Sequence, residues 1–438
     1  MHIMNFSNQA KSLLLKDVRK IAKDHARYSY SPDKDFTRNR KIGLETLLKL
    51  MLTMEKGTIR DELQNFFEYS SDTPTPGALC KQLHKLRPEA LSDLCMEFNS
   101  HFPFKTYKGY RLMACDGSES NIFRNPLDPD TYHPPSGKSS RGYNLIHMVV
   151  LFDLLDKRYI DAEFQPCRLK NEYRAICKLA DRYHSGTKTL FITDRGMGSY
   201  NFYAHAENNG LYYLVRVKAL NAKRLKGDDV FPEGEFDITV NRIITRSHKK
   251  KLRQYPDRMS DYRVIDKNTD FDFIEPGGGD ELHLKIRFLC VRLSSGEYEY
   301  LVTNLSKEFD PEDIKNIYRL RWGVETAFRE LKHTIGSLFF HSKKYDHVVL
   351  ELWARMILYN FCSIIASHVI INTKKTKYLH QVNFSVAIKI CRRFLGLHEL
   401  ARPPNVEALI SRCTLPIRAD KTFERIKRFK FPMSFLYR

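Results

Sequence analysis

Residues 318–332 read YRLRWGVETAFRELK, and the spacing of four side chains within them governs how the rest of the chain is read. At about 100° per residue, a helix places Tyr318, Arg321, Glu325 and Lys332 at roughly 0°, 300°, 340° and 320°, an arc of about 60°. Ile317, Leu320, Val324, Ala327, Phe328, Leu331 and Ile335 fill the neighbouring arc, from about 180° to 280°. The stretch therefore predicts one amphipathic helix carrying a phenol, a guanidinium, a carboxylate and an ammonium along the rim of its buried face. Two readings follow. Arg321–Glu325 and Glu325–Arg329 are i,i+4 pairs of the kind that steady a solvated helix by about 0.2–0.5 kcal/mol each; alternatively, the row addresses something polar beside the helix.

Composition narrows what that partner is. The 438 residues are 42% hydrophobic, ample for two or three domains with cores, and carry a formal net charge of +20. A chain this basic pairs with a polyanion, nucleic acid first. No lipidation motif, amphipathic anchor or signal peptide favours a membrane surface instead. The most apolar run, VVLELWARMILYNFCSIIASHVII from Val348, includes Glu351, Arg355, Asn360 and His368 and predicts a buried helix rather than a span. Nine cysteines, an odd count with no CxxC pair, predict reduced thiols in a cytoplasmic protein, not a disulfide frame or a zinc site.

The pattern divides the chain into five parts of an α/β protein. Residues 1–105 read as a helical N-terminal DNA-binding domain. There IGLETLLKLMLTM (Ile42 to Met54) carries a helical stripe, and DTPTPGALCKQLHKL opens a helix with Asp72, Thr73 and Thr75 as capping candidates. Lys81, His84, Lys85 and Arg87 make that helix basic; it suits a helix-turn-helix reader of DNA and an ordinary bundle equally, and Lys81 and Lys85 are candidate DNA contacts. Residues 106–220 turn to a strand pattern and read as the first part of an α/β core. YRLMACDGSES reads as a short strand delivering Asp116 to a Gly-Ser turn, followed by strands GYNLIHMVVLFDLL and RYIDAEFQP and helix NEYRAICKLADRYH. TLFITDRGMGSYNF is a strand ending at Asp194 before a Gly-rich turn and a helix, and YYLVRVKAL closes the set. Residues 221–296 read as a β-rich insertion, residues 297–372 as the second part of the core with the 318–332 helix, and residues 373–438 as a helical basic C-terminal region.

Two aspartates at strand ends face one crevice, where open α/β sheets hold their ligands, and Glu325 on the later helix can reach it. Three carboxylate donors suit Mg²⁺, which keeps much of its water and accepts phosphate oxygens. Two such ions can clamp the attacking and leaving oxygens of a displacement at phosphorus. Asp116, Asp194 and Glu325 are the candidate trio, although strand-terminal aspartates also commonly cap the next helix.

Tyr318-x2-Arg321-x3-Glu325-x6-Lys332 resembles the Tyr-Arg-Glu-Lys signature of the DDE transposases of bacterial insertion sequences, in the family-four group. A DGS turn after Asp116, TDRG at Asp194, RVK from Arg216 to Lys218 and the order of the regions extend the resemblance over residues 35–370. It implies an RNase H-like catalytic core in which Asp116, Asp194 and Glu325 bind Mg²⁺ or Mn²⁺. Tyr318, Arg321 and Lys332 would hold phosphates of the transposon end, with Arg216 and Lys218 as further DNA contacts. The activity implied is metal-dependent cleavage at the element's ends and strand transfer into target DNA. The partners implied are double-stranded DNA, as terminal inverted repeats and target, and a second copy in a homodimeric synaptic complex at the bacterial nucleoid. A base-stacking aromatic is implied as well, for which Trp322, Phe236 and Tyr255 are candidates. The alternative is a catalytically inactive, transposase-derived DNA-binding regulator.

Other motifs weigh less. SGKSS at Ser136–Ser140 mimics the end of a P-loop, but the pattern needs glycine where Tyr132 stands, so no nucleotide cofactor is expected. Arg242, Arg246, Lys249, Lys250, Lys251 and Arg253 suit either a solvated loop or a phosphate track, and Lys249, Lys250 and Lys251 are candidate DNA contacts. His147, His184 and His205 lack ligand spacing and are expected to be structural.

Overall fold

A computed structural model describes residues 5–136, 141–218, 232–247, 261–275, 279–293, 295–336, 339–371, 378–398 and 401–417. Five helices come first: α1 (Phe6–Lys23), α2 (Leu44–Thr53), α3 (Ile59–Phe66), α4 (Pro76–Leu83) and α5 (Glu89–Ser100). Then follow β1 (Arg111–Ile122), β2 (Tyr132–His133), β3 (Tyr143–Asp153), β4 (Arg158–Pro166), α6 (Glu172–Arg182), β5 (Thr189–Thr193), α7 (Tyr200–Asn208) and β6 (Tyr212–Val217). The next strands are β7 (Phe236–Thr245), β8 (Tyr262–Val264), β9 (Glu281–Arg292) and β10 (Tyr298–Thr303). The chain continues through α8 (Pro311–Leu320), α9 (Trp322–Arg329), a π turn (Glu330–Ile335), α10 (Tyr345–Ser367), β11 (His380–Val382), α11 (Phe384–Gly396), α12 (Val406–Ser411) and β12 (Thr414–Pro416).

Side-chain alternation builds the central sheet. On β1, Leu112 and Ala114 join one buried cluster while Met113 and Cys115 join a second, as a two-residue period requires when both faces are covered. Leu190, Ile192 and Leu214 lie on the first face, and Phe191, Tyr213 and Val215 on the second. Apolar residues of α6 and α7 cover the second face, and those of α1, α2, α5, α8, α9 and α10 belong to the cluster on the first. The N-terminal helices therefore share a core with the helices that follow the sheet.

The strands run in the order β2, β3, β1, β5, β6, β10, β9, β7, β8, with β4 also paired to β3. β1 is antiparallel to β3 and parallel to β5, and β6 is parallel to β5. β10, β9 and β7 then add antiparallel strands. The strands expected in the insertion thus lengthen the same sheet.

Several expectations need correction. β1 does not end at a Gly-Ser turn after Asp116. Its parallel pairing stops at Cys115↔Thr193, but the antiparallel ladder continues to Ile122↔Asn144 because β3 is long enough to satisfy it. The 318–332 stretch is not one regular helix either. Arg321 N–H donates to Tyr318 O at 3.1 Å and Val324 N–H to Arg321 O at 3.0 Å, an i→i−3 tightening between α8 and α9. The π turn then widens the last turn and stops at Gly336, whose φ of 111° is open to glycine and strained for other residues. Leu320, assigned above to the buried arc, is 43% exposed. In the N-terminal region α4 starts at Thr75, whose Oγ1 accepts Ala78 N–H; Asp72 and Thr73 stay in the preceding turn. His84 is the C-cap of α4, and Lys85 and Arg87 lie beyond its end. The C-terminal region also holds a two-stranded ribbon, β11–β12.

α10 is the one helix among the described residues long and apolar enough to cross a membrane, and it is buried inside the protein. Its polar groups are engaged there. Asn360 accepts Tyr159 N–H at 2.8 Å and donates to Tyr159 O at 2.7 Å, and Arg355 pairs with Glu351 at 2.9 Å.

Candidate active site

Strand parity puts the two aspartates on one face. Asp116 follows Leu112 and Ala114, and Asp194 follows Leu190 and Ile192, all on the face packed against α8 and α9. The register Cys115↔Thr193 makes Asp116 and Asp194 neighbours at the end of the parallel pairing. Asp310 caps α8 by accepting Asp313 N–H at 2.8 Å, and Pro311 opens it. Burial of Ile314, Ile317, Val324, Ala327 and Phe328 then seats α8 and α9 on this face.

That seating brings Tyr318 and Arg321 onto the aspartates, Glu325 onto Arg321, and Lys332 onto β1 beyond Asp116. Arg321, 3% exposed, reaches Asp116 Oδ2 at 3.2 Å with Nη1 and Glu325 Oε1 at 3.0 Å with Nη2. Tyr318 donates its hydroxyl to Asp194 Oδ1 at 3.2 Å. Lys332 Nζ donates to Ser118 Oγ at 2.6 Å and to the Glu119 carbonyl at 2.7 Å, fastening the π turn to β1. So the i,i+4 pair Arg321–Glu325 exists, but it is one arm of a bridge between two elements.

The electrostatics follow from the crowding. Burial lifts the Asp116 carboxyl to about 6; Arg321 and the Gly117 N–H oppose the rise, while Glu325 and Asp194 add to it. Burial likewise raises the Tyr318 phenol and lowers the Lys332 ammonium from their ordinary values.

Two glycines shape the floor from the opposite face. A Cβ at Gly117 would meet Glu172 Oε1 at 2.8 Å and His147 Cε1 at 3.0 Å, and one at Gly196 would meet Glu172 Oε2 at 3.1 Å. His147 is buried with Nε2 3.3 Å from Glu172, and burial, with Lys170 next in effect, lowers its pKa to about 4. His205 bridges Asp181 and Asp272 at 2.8 and 2.9 Å, joining α7 to the segment before β9, whereas His184 is exposed.

The remaining candidates are dispersed. Arg216 pairs with Glu299 at 2.8 Å, a buried carboxylate on β10 that motif reading missed. Lys218 is exposed just past β6, and Lys81 is exposed on α4; Lys85 sits over the Phe36 ring at 5.7 Å. Lys249, Lys250, Lys251, Arg253 and Tyr255 lie outside the described residues, as do Gly137–Ser140. Arg242 is buried and Arg246 donates to backbone carbonyls such as Ile274 O, so neither belongs to a solvated basic track. Trp322 is half-exposed with the Arg321 guanidinium 5.4 Å from its ring, and Phe236 packs near Tyr300. A cleft of about 620 Å³ lies on the α6–α7 side of the sheet, between Arg195–Asn201 and Arg263–Phe271, with Tyr173, Tyr200, Arg174 and Arg263 in its walls.

Comparison with known proteins gives a family. Residues 107–361 match the transposase DDE domain. The chain is 27% identical over 388 residues to transposase InsG for insertion sequence element IS4 of Escherichia coli, covering 82% of this chain and 78% of that protein. A cryo-EM structure of the piggyBac transposase synaptic complex with hairpin DNA aligns over 96% of this chain and 88% of that one, at 11% identity and a TM-score of 0.44. With a matched region that spans more than half its length and contains both aspartates and the whole Tyr-Arg-Glu-Lys stretch, the chain belongs to the DDE transposases, in the IS4 group.

Proposed function

We infer that this protein cleaves double-stranded DNA at the ends of an insertion sequence and joins the freed 3′-OH ends to target DNA, in a divalent-metal-dependent reaction on an RNase H-like core. The observation that carries this reading is the Arg321 bridge: one buried guanidinium shared by Asp116 and Glu325, with Asp194 beside them. Asp116 and Glu325 share this guanidinium, and Asp194 neighbours Asp116 in the sheet register. A core in which three antiparallel strands adjoin two parallel ones supports the fold assignment.

The residues fit a hard divalent cation. They offer oxygen donors only, they already draw a positive group between two of them, and burial lifts the Asp116 carboxyl to about 6 despite Arg321, with Glu325 and Asp194 adding to the rise. Asp116, Asp194 and Glu325 would hold Mg²⁺ or Mn²⁺, which when bound supplies Lewis-acid activation of the attacking oxygen and stabilises the leaving one. The rest falls to the chain. Arg321 presents a planar fork suited to a phosphate once it leaves the carboxylates. Lys332, fixed by Ser118 and the Glu119 carbonyl, sets positive charge where the strand passes. The Tyr318 phenol orients Asp194. The arginines and tyrosines of the cleft that begins at Arg195 suit a frayed strand end, through charge and stacking. Lys81, Lys85, Arg216, Lys218 and Lys249–Lys251 are proposed as sequence-independent phosphate contacts, and a homodimer as the unit that pairs two ends.

The test uses duplexes taken from the DNA flanking the coding region, both intact and pre-cleaved. Mg²⁺-dependent nicking of the first and joining of the second is the expected result. Binding without either reaction would identify an inactive regulator, and nicking without joining a nuclease.

A further inference from the structure

The sheet edge that carries the aspartates carries more. The register Thr193↔Val215 makes Arg216 the neighbour of Asp194 on the next parallel strand. The antiparallel register Leu301↔Arg216 and Tyr300↔Val217 then brings Glu299 diagonally beside Arg216. Parity is the same throughout: Leu214 and Leu301 both belong to the cluster on the aspartate face, so Arg216 and Glu299 project onto that face too. Asp116, Asp194, Arg216 and Glu299 therefore form a row across β1, β5, β6 and β10. The last two have no role in the trio.

Glu299 is 7% exposed, and its carboxylate meets Arg216 Nε at 2.8 Å. Its position is electrostatically awkward. Burial raises its pKa, Arg216, Arg195 and Arg321 oppose the rise, and Asp194 adds to it. A buried anion facing the DNA path would also repel phosphate, so a glutamine here would avoid desolvation and repulsion alike. What a glutamine cannot do is hold a guanidinium against the pull of Asp194 next door. Arg321 shows what a guanidinium does in this crevice when no other acid claims it: it bridges two carboxylates of the trio.

We propose that Glu299 is a positioning residue of the site: it holds the Arg216 guanidinium off Asp194 and at the rim, where it takes a DNA phosphate. Engagement through Nε is side-on, and the end-on edge formed by Nη1 and Nη2 is the part of the planar fork that would take the phosphate. Arg216 retains 23% side-chain exposure, enough to be reached. The inference rests on reading the crevice as the DNA-cleaving site.

Charge and position make opposite forecasts, which gives the test its edge. If Glu299 acts only as a negative charge, Glu299→Gln tightens DNA binding. If it positions Arg216, Glu299→Gln weakens binding, and the slope of log K against log salt shallows by about 0.9, the value for one phosphate contact. Binding of duplexes from the flanking DNA is measured by fluorescence anisotropy across a salt series for wild type, Glu299→Gln, Glu299→Asp, Arg216→Gln and the double variant Arg216→Gln/Glu299→Gln. Glu299→Asp keeps the charge and loses reach, so it should fall between wild type and Glu299→Gln. Arg216→Gln should show the same shallower slope, with no further loss in the double variant. Equal or tighter binding by Glu299→Gln, with an unchanged slope, overturns the proposal. If thermal melts show that Glu299→Gln does not fold, Glu299→Asp decides alone: weaker binding supports the proposal and wild-type binding overturns it. Wild-type protein that binds ends without nicking them would refute the catalytic reading and leave this comparison intact; wild-type protein that binds no duplex overturns both.

Discussion

Replacing Arg321 with glutamine should destabilise the metal-free protein and make its stability respond more strongly to Mg²⁺. The guanidinium is 3% exposed and serves Asp116 at 3.2 Å and Glu325 at 3.0 Å. Removing one partner of a buried ion pair costs about 3–5 kcal/mol, because the other charge is left uncompensated. Glu325 is 37% exposed, so water screens its share, and the lower end, about 3 kcal/mol, is expected. A cation present at 100 times its Kd returns about 2.7 kcal/mol. In the variant that gain is whole; in the wild type the ion must first displace Arg321 from two carboxylates, so the net gain is smaller. Urea unfolding of both proteins in EDTA and in saturating MgCl₂ gives the four numbers needed. The expected gap of about 3 kcal/mol in EDTA should shrink to under about 1 kcal/mol in MgCl₂. A gap of the same size in both buffers would refute the idea that Arg321 stands where a cation binds. So would a variant as stable as wild type in EDTA.

Two further outcomes test the frame around the site. His341 is buried between Glu351, 3.1 Å from Nδ1, and Glu62, 3.7 Å from Nε2; burial opposes its charge, but these partners outweigh burial and raise its pKa to about 9. The charged imidazolium thus contributes about 3 kcal/mol, fully present below pH 6.5 and lost as pH rises through 9. Wild-type stability should fall over that window more steeply than that of His341→Gln, and parallel curves would exclude the role. Gly117→Ala should destabilise by about 1–3 kcal/mol through overpacking, because its Cβ would press on Glu172 and on the buried His147 ring. Adding Glu172→Ala should recover part of the loss in thermal melts, and a fully tolerated Gly117→Ala would mean that this floor is loose.

What the sequence disclosed depended on how local each signal is. Asp116, Asp194 and Glu325 stood out because few residue types serve as hard oxygen donors, and the spacing of Tyr318, Arg321, Glu325 and Lys332 survives modest helix distortion. The tightening at Arg321 and the π turn act in opposite senses on the helical phase, so all four still face the sheet edge that carries the aspartates. The distortion itself was not legible: the tether from Lys332 to Ser118 links residues more than 200 positions apart. β1 was cut short because Gly117-Ser118 has turn chemistry, whereas the ladder with β3 holds it extended. Glu299 was invisible for the same kind of reason. It reads as one polar residue in an edge-like EYEYLVT run, and its meaning comes only from the β6–β10 register that brings it to Arg216.

Glu325→Gln tests the central claim most directly. The change keeps size and hydrogen-bonding capacity and removes the charge that a hard cation needs. Glu325 caps no helix and is more than a third exposed, so the fold should survive. Gel-shift and cleavage assays on the same preparation, with duplex from the flanking DNA and MgCl₂, separate binding from chemistry. The account predicts that Glu325→Gln binds the end as well as wild type or better, and neither nicks nor joins it. Undiminished nicking by Glu325→Gln in Mg²⁺ would contradict it.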